Sequence, residues 1–155
     1  MERDELCYIF SMIDTIFTKI IKREIPAEII YEDEHVIVIP DKFPSMEGQT
    51  LVVMKQQVAY VFDLDETAYH ALMDATQKIA HALDKAFGTV RTCVVIEGFE
   101  VPQVHIRLYP CKTATLTLAP RHEATDEELK TVAEKIRAAL TQEIPTTGLR
   151  ASMQK

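Results

Sequence analysis

The strict alternation of residues 101–110, V-P-Q-V-H-I-R-L-Y-P, constrains the fold more than any other part of the chain. Successive side chains of a β-strand point to opposite faces, so Gln103, His105 and Arg107 form a row on one face, with neighbours about 6.5–7 Å apart. The intervening residues are apolar and predict contact with a hydrophobic core. The segment is therefore predicted to be a strand with a core on one face and three polar side chains in file on the other.

The rest of the chain predicts a small α+β domain. Apolar residues at helical spacing indicate helices, and short β-branched runs indicate strands. Asp14 is the predicted cap of the first helix, and Thr125 with Glu128 forms a capping box that opens the last one. Predicted helices cover residues 14–25, 65–86 and 125–141, and predicted strands cover residues 28–31, 35–39, 50–54, 91–97 and 103–109, with 113–118 as a candidate sixth. The short connections favour an antiparallel sheet with the helices on one side.

Composition excludes several classes of protein. The 155 residues suffice for one domain with a buried core. The net charge of −7 and the pI near 5.2 argue against a broad nucleic-acid surface, which needs a basic stripe. No apolar run reaches the roughly 18 residues that span a bilayer, and the polar, acidic start does not resemble a signal peptide. We therefore expect a cytoplasmic protein with neither nucleic acid nor membrane as a partner.

The three cysteines, Cys7, Cys93 and Cys111, form neither a C-x-x-C pair nor an even disulfide framework. Cys93 lies in an apolar run and is expected to be a small core residue. Neither of the other two has a partner that the sequence indicates. We expect no metal and no cofactor.

Three blocks of sequence resemble the histidine triad (HIT) superfamily of nucleotide hydrolases and transferases. The first is residues 16–27, I-F-T-K-I-I-K-R-E-I-P-A, which is similar to the family's opening block. The second is Pro40-Asp41 followed by residues 48–55, G-Q-T-L-V-V-M-K. The third is residues 101–110, which align with the family pattern V-P-H-x-H-x-H-φ-φ-P.

The resemblance implies a HIT-like fold, in which a five-stranded antiparallel sheet carries a short N-terminal helix and a long helix. Family members usually dimerise into a ten-stranded sheet, so we expect a homodimer. We expect residues 14–119 to form this domain, residues 1–13 to be an N-terminal extension with a short helix at 9–13, and residues 120–155 to be an additional C-terminal helix and tail.

The resemblance also implies catalytic positions. In the family, the middle histidine of the motif attacks the α-phosphate and carries a transient nucleotidyl group, and His105 stands at that position. The outer two histidines hold phosphate oxygens and assist the leaving group. Here those positions are occupied by Gln103 and Arg107.

A nucleotide pocket is implied in the same way. Asp41 corresponds to the aspartate that binds the ribose hydroxyls, and Phe17, Ile20 and Ile39 correspond to residues that enclose the base. Gln49 replaces a further histidine of the family pattern. The expected ligand is a purine nucleotide or another nucleoside phosphate.

Other departures affect the zinc site and the phosphate loop. Many members carry C-x-x-C at the opening as part of a zinc site, but here Thr15 and Thr18 occupy those positions, so no structural zinc is expected. The family places a glycine-containing stretch that ends in Gly-Gln-Ser/Thr before the motif. Residues 97–101, E-G-F-E-V, are shorter, lack the hydroxyl and carry an acid.

The physical chemistry of the altered motif leaves catalysis open. A guanidinium at Arg107 favours the neutral form of His105, which a nucleophile requires, and its fork can grip two phosphate oxygens. Gln103 can orient the His105 ring by hydrogen bonding but cannot relay a proton. Losing general acid–base assistance costs about 10²–10⁴ in rate, so turnover is expected to be far below that of an intact triad.

Two hypotheses for function follow. The first is a weak nucleotidyl hydrolase or transferase that acts on purine nucleoside phosphoramidates or dinucleoside polyphosphates through a covalent His105 intermediate. The alternative is a catalytically degenerate protein that serves as a nucleotide-binding or structural dimer. Asp41 is equally compatible with capping its own loop, and Arg107 with a structural ion pair to Glu100.

Overall fold

The computed structural model of the protein describes Glu5, residues 13–118 and residues 120–142. The helix expected at 9–13 lies outside these residues except for Ile13. In chain order the elements are α1 (Ile16–Ile21), β1 (Tyr31–Glu32), β2 (Val36–Pro40), β3 (Thr50–Met54), a 3₁₀ turn (Val61–Asp63), α2 (Glu66–Phe87), β4 (Arg91–Val95), β5 (His105–Cys111) and α3 (Asp126–Thr141).

The strands form one five-stranded antiparallel sheet in the order β1-β2-β3-β5-β4. The predicted α+β fold is therefore confirmed. β5 lies between β3 and β4, with Val53 opposite His105 and Leu51 opposite Arg107. β4 is an edge strand, and β5 is hydrogen-bonded along both sides.

The two faces of the sheet are covered differently. One face packs against α2 and α3, and its buried residues, including Ile106 and Leu108, form the main core. The other face, which we call the site face, carries a second apolar cluster formed by Phe17, Ile20, Ile37, Ile39, Leu51 and Val53, which we call the site-face cluster. Since Phe17 and Ile20 belong to α1, the prediction that all helices lie on one side of the sheet is wrong for α1.

The cap of α1 lies one residue later than predicted, and the helix ends at Ile21 rather than at residue 25. Its cap is Thr15, whose hydroxyl oxygen accepts a hydrogen bond from the Thr18 amide at 3.1 Å. Asp14, the predicted cap, forms an ion pair with Lys22 at 2.9 Å instead. The cap thereby faces the sheet, while the carboxylate stays in solvent.

The other helix ends follow the sequence signals. Asp65 caps α2 by accepting from the Ala68 amide, and Gly88 ends that helix in the left-handed conformation with φ of 58°. The capping box of Thr125 and Glu128 is present at the start of α3. Buried residues of α3 belong to the main core, so this helix packs with the sheet and with α2.

Several strand predictions require correction. β1 spans Tyr31–Glu32 rather than residues 28–31, and β4 ends at Val95 rather than at residue 97. Residues 113–118 form no strand, and their side chains are all exposed, so their alternation has no buried face to stabilise it. β5 begins at His105 rather than at residue 103, which leaves Gln103 just outside the ladder. The side chain of Gln103 is nevertheless completely buried.

Gly48 allows the loop between β2 and β3 to approach the end of α2 closely. Its φ is 84°, and a Cβ atom at this position would lie 2.7 Å from a ring carbon of Phe87. A left-handed backbone and the absence of a side chain are both required here. The loop therefore rests directly on the Phe87 ring.

The cysteines of the two adjacent strands β4 and β5 lie side by side. The sulfur atoms of Cys93 and Cys111 are 3.8 Å apart, and both thiols are free. Cys111 is buried, whereas Cys93 is only half-buried and not the full core residue that its apolar surroundings predicted. Burial raises the pKa of the Cys111 thiol. Cys7 lies outside the described residues.

Candidate functional site

β5 presents His105 and Arg107 on the site face, beneath α1. The ring centroid of Phe17 lies 4.9 Å from that of the His105 imidazole, with the two rings tilted by 58°. The predicted row of polar residues is thus confirmed for these two side chains. One residue expected to enclose a base therefore lies directly against the motif histidine.

The His105 imidazole is buried and oriented by the backbone. It is 2% exposed, and its Nδ1 atom lies 2.8 Å from the main-chain oxygen of Gln103. A carbonyl oxygen can only accept, so Nδ1 carries the hydrogen and Nε2 carries the lone pair. Nε2 is itself buried and has no hydrogen-bond partner among the described residues. Burial, reinforced by the positive charge of Arg107, lowers the pKa of His105 and keeps the ring neutral.

The side chain of Gln103 connects α1 to β3 and does not contact the imidazole. Its Oε1 atom accepts hydrogen bonds from the hydroxyl groups of Thr15 and Thr18, the latter at 3.1 Å. Its Nε2 atom donates to the main-chain oxygen of Met54 at 2.9 Å. Gln103 therefore orients His105 through its main-chain carbonyl, while both polar atoms of its side-chain amide form hydrogen bonds elsewhere.

Arg107 is held by two carboxylates of the connection between β4 and β5. Its side chain is 9% exposed; Nη1 lies 2.7 Å from an oxygen of Glu97, and Nη2 lies 2.8 Å from an oxygen of Glu100. The hydrogen bond to Arg107 lowers the pKa of Glu100. The ion pair between Arg107 and Glu100 that the sequence left open is thereby confirmed.

The segment 97–101 also contributes an apolar contact. Val101 packs against the site-face cluster, which contains the residues expected to enclose the base. Phe99 points away and is 90% exposed. The segment therefore covers this face with a carboxylate and an aliphatic side chain rather than with the aromatic ring.

Asp41 closes its own loop. One carboxylate oxygen accepts from the Phe43 amide at 2.9 Å, and the other accepts from the Gln49 side-chain amide at 2.5 Å. The Oε1 atom of Gln49 accepts in turn from the Ser45 amide at 2.7 Å. The loop-capping role is therefore present. The Asp41 charge also acts on the pKa of His105, in the direction that raises it.

The residues predicted to enclose the base lie together and are closed off from solvent. Phe17, Ile20 and Ile39 are 6%, 7% and 5% exposed and belong to the same cluster. The structure thus brings all eight predicted site residues to one region, the site face and the loop beside it.

Two cavities adjoin this region. A small cavity of about 100 Å³ includes His105 and Glu97 in its wall, together with the 3₁₀ turn. A larger cleft of about 410 Å³ separates the loop at 40–49 from the start of α3. The sequence did not indicate this cleft, because its two walls are far apart in the chain.

The sequence did not anticipate the pairing of Glu97 with Arg107, nor a second arginine near the site. Arg121 lies 3.2 Å from a carboxylate oxygen of Glu100, the same group that contacts Arg107. In the sequence, its only signal is a basic residue next to His122. Within the described ranges, no three histidine, cysteine or carboxylate side chains are arranged to hold a metal ion, and no helix there is long and apolar enough to cross a bilayer.

Comparisons with known proteins identify the family of the chain. The family model for the HIT domain matches residues 22–114. An uncharacterized HIT-like protein of Methanocaldococcus jannaschii is 33% identical over 99 residues, which cover 61% of this chain and 77% of that protein.

Solved structures extend the comparison to the whole fold. A HIT-like protein involved in cell-cycle regulation from Bartonella henselae, solved with an unknown ligand, superposes with a TM-score of 0.74 at 34% identity, covering 81% of this chain and 96% of that one. A hypothetical histidine triad nucleotide-binding protein of Sulfolobus tokodaii has a TM-score of 0.72 at 23% identity, covering 80% of this chain and 90% of that one, and shows the fold alone. The chain belongs to the HIT family and has its histidine triad fold.

Proposed function

We propose that the protein binds a purine nucleoside phosphate over His105 and slowly transfers or hydrolyses its nucleotidyl group. The observation that carries this proposal is the buried Nε2 atom of His105, which holds an unpartnered lone pair within the described part of the chain. The hydrogen bond from Nδ1 to the Gln103 carbonyl fixes that tautomer. A neutral, oriented imidazole with a free Nε2 is what nucleophilic attack on phosphorus requires.

The substrates proposed are purine nucleoside phosphoramidates or dinucleoside polyphosphates. His105 Nε2 forms a bond to the α-phosphorus as the bond to the leaving amine or phosphate breaks and its electron pair departs with that group. The leaving group takes up a proton from solvent. Water then attacks the same phosphorus and gives up a proton to solvent, the bond to Nε2 breaks, and the nucleoside monophosphate and neutral imidazole are released. Neither Gln103 nor Arg107 supplies a readily transferable proton to the leaving group, so the first step is slow.

The positions proposed for the rest of the ligand follow the arrangement of the site face. Phe17, Ile20 and Ile39 would contact the base, since all three belong to the cluster beside His105. Asp41 would exchange its hydrogen bond from Gln49 for the ribose hydroxyls. Binding requires residues 97–101 to move, because Val101 packs on the same cluster.

A second candidate is a nucleotide-binding or structural protein without catalysis. The ion pairs from Arg107 to Glu97 and Glu100 favour it, because they use the guanidinium that would otherwise hold phosphate oxygens. The absence of a proton donor in the described motif favours it as well. In its nucleotide-binding form, this candidate has the same ligand class as the first.

A homodimer is proposed for either function, through the edge strand β4. The outer side of β4 is unpaired among the described residues, and edge strands tend to pair with other strands. Val90, Val94 and Ile96 in and around β4 are 61%, 45% and 37% exposed. Pairing of two β4 strands would extend the sheet and cover these side chains.

Turnover of a fluorogenic adenosine phosphoramidate tests the catalytic proposal. The wild-type protein is compared with His105→Ala and with the matched control His81→Ala, which alters an exposed histidine on α2. Slow release of the fluorophore by the wild type and His81→Ala, with only background release by His105→Ala, supports the proposal. A protein adduct bearing one AMP, detected by intact mass at neutral pH and absent from His105→Ala, identifies the intermediate. Equal rates for the wild type and His105→Ala would remove His105 as the nucleophile.

A further inference from the structure

The segment 97–101 places an anionic and an apolar side chain against the site, and these are the two kinds of group that a nucleoside phosphate carries. Glu100 places a carboxylate on Arg107, and the next residue, Val101, places an apolar side chain on the site-face cluster. A nucleoside phosphate likewise joins an apolar base to an anionic group. The segment therefore occupies, from within the chain, positions proposed above for a ligand.

The carboxylate of Glu100 bridges two arginines. One oxygen lies 2.8 Å from Nη2 of Arg107, and Nη1 of Arg121 lies 3.2 Å and 3.4 Å from the two oxygens. Arg107 is fixed on a central strand with its side chain 9% exposed, whereas the Glu100 side chain is 58% exposed. Arg107 is therefore a buried residue of the sheet, whereas the carboxylate of Glu100 that pairs with it lies at the surface.

We propose that Arg107 and Arg121 form a binding site for two adjacent anionic groups, and that Glu100 is its internal occupant. Guanidinium groups bind phosphate oxygens through paired hydrogen bonds. A diphosphate or longer polyphosphate can engage both arginines, whereas a single phosphate that reaches the α-position over His105 engages Arg107 alone. The site thereby selects nucleoside di- and polyphosphates over monophosphates.

Glu100 and the ligand compete for the same two guanidinium groups. The apparent affinity is therefore reduced by the fraction of molecules in which Glu100 remains in place. Neutralising this carboxylate removes the competitor that the two arginines share without removing either arginine, while Glu97 stays on Nη1 of Arg107. This inference rests on the proposed function only for the nucleoside part of the ligand. Inorganic pyrophosphate carries the two anionic groups without a base, so it tests the arginine pair alone.

Calorimetric titration with AMP, ADP and inorganic pyrophosphate tests the arginine pair. The variants are Glu100→Gln, Arg121→Ala and the double variant, with Glu134→Gln on α3 as the control for an equal change of charge at an exposed site. Glu100→Ala serves as a second variant, and unfolding midpoints verify that all proteins are folded. Glu100→Gln is expected to bind ADP and pyrophosphate about tenfold more tightly, with a smaller gain for AMP.

The gain is expected to vanish in the double variant and to be absent in Glu134→Gln. An unchanged dissociation constant for ADP and pyrophosphate in Glu100→Gln would overturn the inference. An equal gain for AMP, or a gain that survives Arg121→Ala, would overturn it as well.

The outcome also separates this inference from the proposed function. In one outcome, AMP binds the wild type and protects it against melting, but Glu100→Gln changes the dissociation constant of no ligand. That outcome rejects the arginine site and leaves the proposed function intact. In another outcome, Glu100→Gln binds pyrophosphate in a way that requires Arg121, while AMP and ADP bind no more tightly than pyrophosphate. That result rejects the nucleoside pocket and leaves the arginine site. Absence of binding by all three ligands rejects both.

Discussion

The main-chain oxygen of Gln103 lies 2.8 Å from the Nδ1 atom of His105, two residues further along the chain. Because the contact comes from the backbone, the tautomer of the imidazole does not depend on which side chain stands at position 103. The glutamine side chain is free to serve a different purpose, the attachment of α1 to the sheet. A glutamine at this position is therefore compatible with a fixed orientation of the His105 imidazole.

Burial of His105 predicts a pH dependence of stability. Its pKa is lowered from the ordinary value of 6.5, so below about pH 6.5 the unfolded chain binds a proton that the folded protein does not. The free energy of unfolding should therefore fall as the pH falls from 6.5 toward the folded-state pKa, by at most about 1.4 kcal/mol per pH unit. Urea denaturation between pH 5 and 7.5 measures this slope. His105→Gln should show a shallower slope, and equal slopes in both proteins would contradict the prediction.

Gln103→Ala should destabilise the protein by about 1–3 kcal/mol, because it removes the partner of buried groups of Thr15 and Met54 and of the half-buried Thr18 hydroxyl. Urea denaturation at pH 7 measures the loss. The control is Gln77→Ala on the exposed side of α2, which should change stability by no more than about 0.5 kcal/mol. Similar costs for both variants would show that the amide of Gln103 contributes little.

Val94→Arg should dissociate the proposed dimer, since it places a charge in the middle of the exposed edge of β4. Light scattering coupled to size exclusion should give the mass of two chains for the wild type and of one chain for the variant. Leu118→Arg is a matched control, because Leu118 and Val94 are both 45% exposed and Leu118 lies outside the sheet. A wild-type mass of a single chain would refute the dimer.

Gly48→Ala and Gly88→Ala separate backbone strain from crowding. Both glycines have positive φ, which costs an alanine about 1–2 kcal/mol. Only Gly48 faces a ring at 2.7 Å, whereas a Cβ at Gly88 would meet nothing within 4 Å. Gly48→Ala should therefore cost about 1–3 kcal/mol more than Gly88→Ala in chemical denaturation. Equal losses would mean that Phe87 moves aside without cost.

Local pattern predicted much of the fold and part of the site. Strand alternation placed His105 and Arg107 on one face because the period of two is a geometric property of the strand. Capping chemistry at Thr125 and Glu128 fixed the start of α3. These features depend only on residues close together in the chain.

The features that the sequence did not predict depend on distant residues. Periodicity identified Phe17 and Ile20 as a buried stripe, but it does not specify which face of the sheet the stripe covers. Gln103 lies just before β5, and its amide finds partners on α1 and β3 that no local pattern indicates. The bridge from Arg121 to Glu100 joins two loops, and no local period connects them.

The position of β5 has a consequence for the motions of the site. Ile106 and Leu108 are fully buried in the main core, and they alternate with His105 and Arg107 on a strand paired along both edges. The backbone amides of this strand should therefore exchange with deuterium only through global opening, so that protection persists until the whole domain unfolds. The imidazole and the buried guanidinium are thus held by a strand that we expect to be strongly protected, and we expect gating of ligand entry to come from the connection at 97–101.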